Sequence, residues 1–365
     1  MKILLLGEYS NVHWTLAEGL RILGHNVTVM SNGDGWKNYH RDISVVRKNN
    51  GLLSTFLYLT RLITLLPKLK NYDIVQIINP VFFDVKAERI KPIYDYIRKH
   101  NKKVFLGAFG IDKYWVQVAT DCKTFRYSDF NIGNTPRESY EKKVWIKDWI
   151  EGAKGKLNDY IANDCDGIIC GLYEYYRCYC NSNFSNKITF IPFPINTSKI
   201  RPTIHKVTDK IRFFIGIQKE RNAYKGTDIM LRALERISQQ YGDKVEIIKA
   251  ESLPYEEYKQ ALNNSHVLLD QLYSYTPAMN ALLAMAKGIV VIGGGEEENY
   301  QILNEDKLRP IVNVLPNEDN VFEKLKNLVE NSDLIEILSH QSIQYIEKYH
   351  DYKKVAQQYI NLWSN

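Results

Sequence analysis

The chain predicts an α/β protein built from two Rossmann-like, doubly wound parallel sheets that face a cleft. Three observations carry that expectation. At 365 residues the chain exceeds the usual size of one hydrophobic core, so two domains of roughly 150 to 200 residues are expected. Short β-rich runs alternate with helical patterns in two successive series. Between the series lies an aperiodic stretch, ITFIPFPINTSKIRPTIHKVTDK (188–210), with prolines at 192, 194 and 202, and a hinge is expected there.

The first series is KILLL (2–6), NVTVM (26–30), DIVQII (73–78), KVFLGAF (103–109) and GIIC (167–170). The second is IRFFIGI (211–217), KVEIIKA (244–250), HVLLD (266–270), GIVVIGG (288–294) and PIVNV (310–314). Strands of this kind separated by helical patterns read as βαβ units in parallel sheets. The run YHDYKKVAQQYINLW (349–363) places Val355, Tyr359 and Leu362 at i, i+4, i+7, the pattern of a closing helix. The domain ranges expected are 1–193, 194–347, and a helix over 348–365 that returns toward the first domain.

Composition narrows the function classes. Hydrophobic residues at 45% and charged residues at 25% suit an ordered globular chain. The N-terminal apolar run passes at once into Gly7 and polar residues, which reads as strand and turn rather than export signal. No uncharged apolar stretch of about 18 to 20 residues occurs, so no membrane span and a cytoplasmic location are expected. The five cysteines show neither a CxxC pair nor a nearby histidine pair, and read as reduced, mostly buried thiols without a metal cluster. Asp164-Cys165-Asp166 has the DxD form of a metal site, yet it precedes the GIIC strand as ordinary helix-to-strand punctuation, and no metal is assigned to it.

The net charge of +6 is unevenly spread. Residues 1–200 carry 28 Lys and Arg against 19 Asp and Glu; residues 201–365 carry 20 against 23. The first half is thus suited to an anionic partner such as a membrane surface or a phosphate-bearing acceptor. Nucleic acid is not expected, because the basic excess lacks the aromatic-basic motif of a known reader. Within this half, NNGLLSTFLYLTRLITLLPKLKNY (49–72) is broadly apolar and flanked by Arg47, Lys48, Lys68 and Lys70. It reads as a core-packing helix with solvated basic ends, or as a helix lying on an anionic bilayer.

The stretch KERNAYKGTDIMLRAL (219–234) bears most directly on function. After the strand that ends near Gly216 come Lys219, Arg221 and Lys225, then Gly226, then Thr227 as a cap for a helix with Met230, Ala233, Leu234 and Ile237 on one face. A helix N-terminus carries about half a positive charge, so added cations are unfavourable unless an anion is bound. Solvated loop cations are the plain alternative. A second segment, DQLYSYTPAMNALLAMAKGIVVIGGG (270–295), brings another strand end and helix start to the same edge of the expected sheet, where ligands bind.

The "KG" at Lys225 and Gly226 and the later LLAMAKGIVVIGG (282–294) resemble the C-terminal domain of retaining, nucleotide-sugar-dependent glycosyltransferases of the GT-B fold, family 4 (group 1). LLLGEYS, GAFGID (107–112) and the IPFPIN linker extend the resemblance over nearly the whole chain. It implies that the N-terminal domain takes the acceptor and the C-terminal domain the nucleoside-diphosphate sugar, with Arg221 and Lys225 neutralising the pyrophosphate and Lys219 as the alternative to the arginine. No cofactor beyond the donor and no metal is implied. The family's two glutamates, with seven residues between them, fall on Tyr275 and Leu283. Tyr275, Thr276 and Asn280 are candidate substitutes, with Asp270 and Glu298 beside them. In the first domain, Gly7 resembles part of the loop facing donor and acceptor. There His13 is a candidate ligand contact or a buried imidazole, and Asp112 a candidate catalytic contact or the N-cap of DKYWVQVA.

The expected activity is sugar transfer to a carbohydrate or lipid-linked hydroxyl. A nucleotide-sugar epimerase and a non-catalytic nucleotide-sugar or solute-binding protein are the alternatives. Glycosidase chemistry is disfavoured, since no catalytic carboxylate pair stands out.

Overall fold

A computed structural model of the chain describes residues 1–47, 49, 51–180, 183–217, 222–251, 253 and 255–364. In chain order its strands are β1 (Lys2–Leu6), β2 (Asn26–Ser31), β3 (Ile43–Ser44), β4 (Ile74–Ile77), β5 (Lys103–Ala108), β6 (Tyr127–Ser128), β7 (Asn131–Ile132), β8 (Thr135–Pro136), β9 (Gly167–Cys170), β10 (Ile188–Phe190), β11 (Ile211–Ile217), β12 (Val245–Glu251), β13 (Val267–Leu269), β14 (Val290–Gly293) and β15 (Ile311–Asn313). Each of the ten β-rich runs forms a strand. The chain makes two compact units: residues 1–118, 142–196 and 352–365 form the first, residues 119–141 and 197–351 the second. Residues 119–141, read from sequence as part of the N-terminal domain, therefore lie with the second unit.

The first unit holds a parallel sheet in the order β10-β9-β5-β4-β1-β2-β3. Its centre is apolar on both faces because helices cover both: Ile3, Leu4, Leu5 and Leu6 are fully buried. Strand order reverses between β1 and β4, so the turn after β1 is a topological switch point. Gly7 makes that turn at φ +83°, and a Cβ there would lie 2.2 Å from the Ile78 side chain. β10 falls in the stretch expected to be linker; it pairs with β9, and a three-residue edge strand is too short to show a period.

The closing helix is Tyr352–Ser364, with Val355, Ala356 and Tyr359 fully buried. It packs on the helix Val12–Ile22 at Gly19, where a Cβ would meet the Tyr352 carbonyl at 2.4 Å. The DxD string is bound up in packing. Arg98 reaches Asp164 at 3.1 Å and Asp166 at 2.6 Å, and the Tyr94 hydroxyl donates to Asp164.

The helix Leu52–Leu65, continued by a tight turn over Leu66–Leu69, bears on two expectations. It packs inward through Tyr58, Leu62 and Leu69 but leaves Leu52, Leu53, Phe56, Leu57 and Ile63 exposed, so the core-packing reading holds for one side only. Among the described residues it is also the one helix long and apolar enough, by length and composition, to cross a membrane, although Arg61 and Lys68 lie within it.

The second unit holds a parallel sheet in the order β12-β11-β13-β14-β15, whose strand order reverses between β11 and β13. The helix Thr227–Tyr241 covers one face through Met230, Ala233, Leu234 and Ile237, which pack with Phe213 and Ile215. Residues 119–141 add a small antiparallel sheet, β6-β7-β8, to this unit.

Candidate functional site

The switch point of the second unit lies at the C-terminal ends of β11 and β13, where an open α/β sheet leaves a crevice. From β11 the described chain resumes at the short helical turn Asn222–Lys225, followed by Gly226 at φ +71°. A Cβ on Gly226 would lie 2.7 Å from Leu272 and 2.8 Å from Tyr273, so both the backbone angle and the space call for glycine. Gly226 is itself the N-cap of Thr227–Tyr241, and Thr227 is the first helical residue, buried, rather than the cap the sequence suggests. The Leu272 N–H donates to the Lys225 carbonyl at 3.0 Å, tying this loop to the one after β13.

Asp270 stands at the end of β13. Asn280, in the first turn of the helix Met279–Ala286, donates through Nδ2 to Asp270 Oδ1 at 2.9 Å and accepts from the Tyr258 hydroxyl at 3.2 Å. Burial pushes the Asp270 carboxyl above its ordinary value, while the Asn280 hydrogen bond and the Lys225 charge pull it back. Tyr258 lies across Gly216, where a Cβ would stand 3.0 Å from its ring. Lys225, Gly226, Gly216, Asp270 and Asn280 are thus brought together, with Tyr258 added. Lys219 and Arg221 lie outside the described residues.

Two more candidates are held differently. Tyr275 and Thr276 are buried, and the Tyr275 hydroxyl accepts the backbone N–H of Arg126 at 2.7 Å. The Arg126 guanidinium grips Glu298 at 2.5 and 3.0 Å and reaches Glu296 at 2.9 Å, while the Tyr127 hydroxyl donates to Glu296. Burial raises the Glu298 carboxyl, but the arginine's hydrogen bonds and charge outweigh it and hold it below the usual range. Glu298 is therefore an anchor for residues 119–141. The same segment braces the lysine turn: Tyr224 donates to Asp129 at 2.7 Å, and Arg137 donates to the Ala223 carbonyl at 2.8 Å while its guanidinium stacks on Tyr273. Gly294 lets the loops close up, since a Cβ there would lie 2.3 Å from the Ser274 carbonyl. Ser274 Oγ is buried with no hydrogen-bond partner among the described residues.

Arg126 and Tyr258 are absent from the sequence reading. Arg126 is 172 residues from Glu298, and nothing local marks it. Tyr258 stands four residues before Leu262 in the helix Tyr255–Asn263, a spacing that marks packing rather than a site.

In the first unit the corresponding edge is closed by its own side chains. His13 is fully buried; Nδ1–H donates to the Gly7 carbonyl at 2.9 Å, and Nε2 accepts from Gln76 at 3.2 Å. Burial pushes its pKa down to about 3, so the ring is neutral and both nitrogens are spent on structure, which corrects the ligand-contact expectation. Glu8, unmarked in the sequence reading, accepts the N–H groups of His13 and Trp14 at 3.1 and 2.9 Å and fills the helix N-terminus with a carboxyl that burial raises to about 8. Asp112 takes its capping role. Oδ1 accepts the Trp115 N–H at 2.8 Å, Oδ2 accepts the Tyr179 hydroxyl at 2.7 Å, and burial raises it to about 6. Fully buried with both oxygens engaged, it presents no exposed surface to a substrate in this state.

No family model matches the chain, and no curated protein matches it. Solved structures do. Sucrose-phosphate synthase from Thermosynechococcus elongatus aligns over 100% of this chain and 98% of its own with TM-score 0.63 at 13% identity. HepE of Anabaena, solved with UDP and glucose, aligns over 100% of both chains with TM-score 0.61 at 10% identity. The chain has the GT-B fold. The lipopolysaccharide outer core galactosyltransferase WaaB also shares it, over 99% of both chains with TM-score 0.55 at 14% identity. At such identities the GT-B likeness extends to the fold alone; the chemistry rests on the residues at the switch point.

Proposed function

We propose that this GT-B protein is a glycosyltransferase: it moves a sugar from a nucleoside-diphosphate sugar to an acceptor hydroxyl, with retained anomeric configuration. The observation that carries this reading is the switch point of the second unit. There Lys225 and the glycine-capped start of Thr227–Tyr241 meet Asp270 and Asn280, a cation and a helix N-terminus beside hydrogen-bonding groups. Breaking the bond between C1 and the phosphate oxygen builds charge on the diphosphate. Lys225, with Arg221, and the helix dipole oppose that charge, and a preorganised donor of this kind is worth roughly 10²-fold or more in rate. The acceptor oxygen forms the new bond to C1, and its proton passes to the departing phosphate. Neither a metal nor a further cofactor is invoked. Structures solved with UDP or UDP-glucose in HepE support a nucleotide-sugar donor.

The acceptor belongs to the first unit, and its basic balance favours a lipid-linked or surface-polysaccharide acceptor at the cytoplasmic face of a membrane. One observation favours a non-catalytic nucleotide-sugar binder instead: Tyr275, in the place of the first family glutamate, is covered and hydrogen-bonded by residue 126. Incubation with candidate donors and a hydroxyl acceptor, followed by assay of released nucleoside diphosphate and of the product's anomeric configuration, separates the two. Release with a retained product supports the transferase; donor binding without release at any acceptor supports the binder.

A further inference from the structure

We propose that the bare face of Leu52–Leu65 is a docking surface for an anionic bilayer, on which the first unit lies with this helix parallel to the membrane plane. The proposal deepens the lipid-linked acceptor reading above, and it stands on the helix itself.

At 100° per residue, Tyr58 and Leu62 fall on one side of the helix and, with Leu69 of the turn that follows, are buried in the unit's core. Leu53, Phe56, Leu57 and Ile63 fall on the opposite side, 72%, 65%, 58% and 65% exposed, with Leu52 at 93% beside them. A helix that needs only one apolar stripe for its core carries a second, and contiguous bare surfaces of this kind mark interaction sites.

The charge around this face names the occupant. Residues 43–72 contain five cations, Arg47, Lys48, Arg61, Lys68 and Lys70, and no acidic residue. The described guanidiniums are held by neutral oxygens. Arg47 donates to Thr55 Oγ1 at 2.6 Å and to the Asp84 carbonyl, and Arg61 donates to the Ser44 carbonyl at 2.7 Å. Lys68 and Lys70 are exposed at the far end. An apolar strip bracketed by cations, for which no ion pair stands among the described residues, matches acyl chains bordered by anionic headgroups. A self-associating face would bring these like charges together. A spanning helix is excluded by Tyr58, Leu62 and Leu69, which the unit's core already holds.

Geometry links the face to the acceptor. Arg47, three residues past β3, ties the start of the helix to the Asp84 loop that follows β4, so Leu52 and Leu53 stand at the C-terminal edge of the sheet. Trp36, 68% exposed, lies in the loop after β2 on that same edge, where an indole suits the interface.

Flotation of the full-length protein with phosphatidylglycerol-containing vesicles and with pure phosphatidylcholine vesicles tests this without donor or acceptor. Wild type is expected to float with the anionic vesicles and to be released by salt. Leu53→Asp/Phe56→Asp is expected to lower the bound fraction by roughly tenfold with its melting temperature and donor binding unchanged. Lys68→Glu/Lys70→Glu is expected to lose the salt-sensitive part. Wild type staying at the bottom of the gradient, or the Leu53/Phe56 variant floating like wild type, overturns the proposal. A wild-type dimer that becomes monomeric in that variant, with no vesicle binding, assigns the face to a second copy and overturns it as well. Because donor binding is read separately, loss of the membrane reading leaves the transferase reading intact, and the converse.

Discussion

The two units present the same kind of edge, a parallel sheet with its switch-point loops, and finish it in opposite ways. In the first, a carboxyl of the protein's own, Glu8, takes the N–H groups of the helix N-terminus, and His13 and Asp112 spend their polar atoms on neighbours. In the second, the loop ahead of the helix brings Lys225 instead, and glycine at 226 keeps the backbone close. The first edge fills its own helix N-terminus with a buried carboxyl and is structural; the second brings a cation to a glycine-capped helix N-terminus, a setting that favours a bound anion. This is why the donor is assigned to the second unit.

The largest effect that could break this contrast is at Lys225. Lys225→Ala is expected to lower kcat/KM by roughly 10²-fold or more with little change in melting temperature, since it removes charge stabilisation rather than packing. Equal losses from Asp112→Asn, measured in the same assay and free of a fall in stability, would erase the difference between the edges. Gly226→Ala comes next: a Cβ at φ +71° against Leu272 is expected to cost about 1–3 kcal/mol in chemical denaturation and to weaken donor binding.

Glu8 sharpens the contrast through pH. Folded, it holds its proton to about pH 8 instead of the ordinary 4.5, so the native state binds more protons than the unfolded chain across that window and loses stability as pH rises. Between pH 6.5 and 8 the loss due to Glu8 is expected to be about 2 kcal/mol, offset by under about 0.5 kcal/mol because unfolded His13, half protonated at pH 6.5, gives up its proton while the folded ring is already neutral. Glu8→Gln should flatten that slope in denaturation at the two pH values. A slope unchanged in the variant would show that Glu8 is not the group responsible. The smallest effect is at Arg126, whose guanidinium is more than half exposed: Arg126→Ala is expected to change stability by under about 1 kcal/mol while altering which donor sugars bind, read by KM across a panel.

How much of this was legible in sequence follows from where the information lies. Strands buried on both faces read as apolar runs, which is why β1 and β14 stood out, whereas β3 and β6 to β8 have two residues each and no period. Lys225 and Gly226 were legible because a basic loop, a glycine and a helix start are adjacent in the chain. The grip of Arg126 on Glu298 was not, because it joins residues 172 apart, and it moves residues 119–141 from one unit to the other. His13 and Asp112 looked like site residues since a polar group at a strand end is ambiguous until its burial and partners are known.

The most direct test of the central claim is a thermal-shift panel of UDP, GDP, ADP, CMP and their common sugars on wild type, Lys225→Ala and Glu8→Gln. Binding to the native state raises the melting temperature by mass action. A shift with one nucleoside diphosphate and its sugar, lost in Lys225→Ala and kept in Glu8→Gln, is the expected result. A shift that survives Lys225→Ala and disappears in Glu8→Gln would place the nucleotide in the first unit and contradict the account.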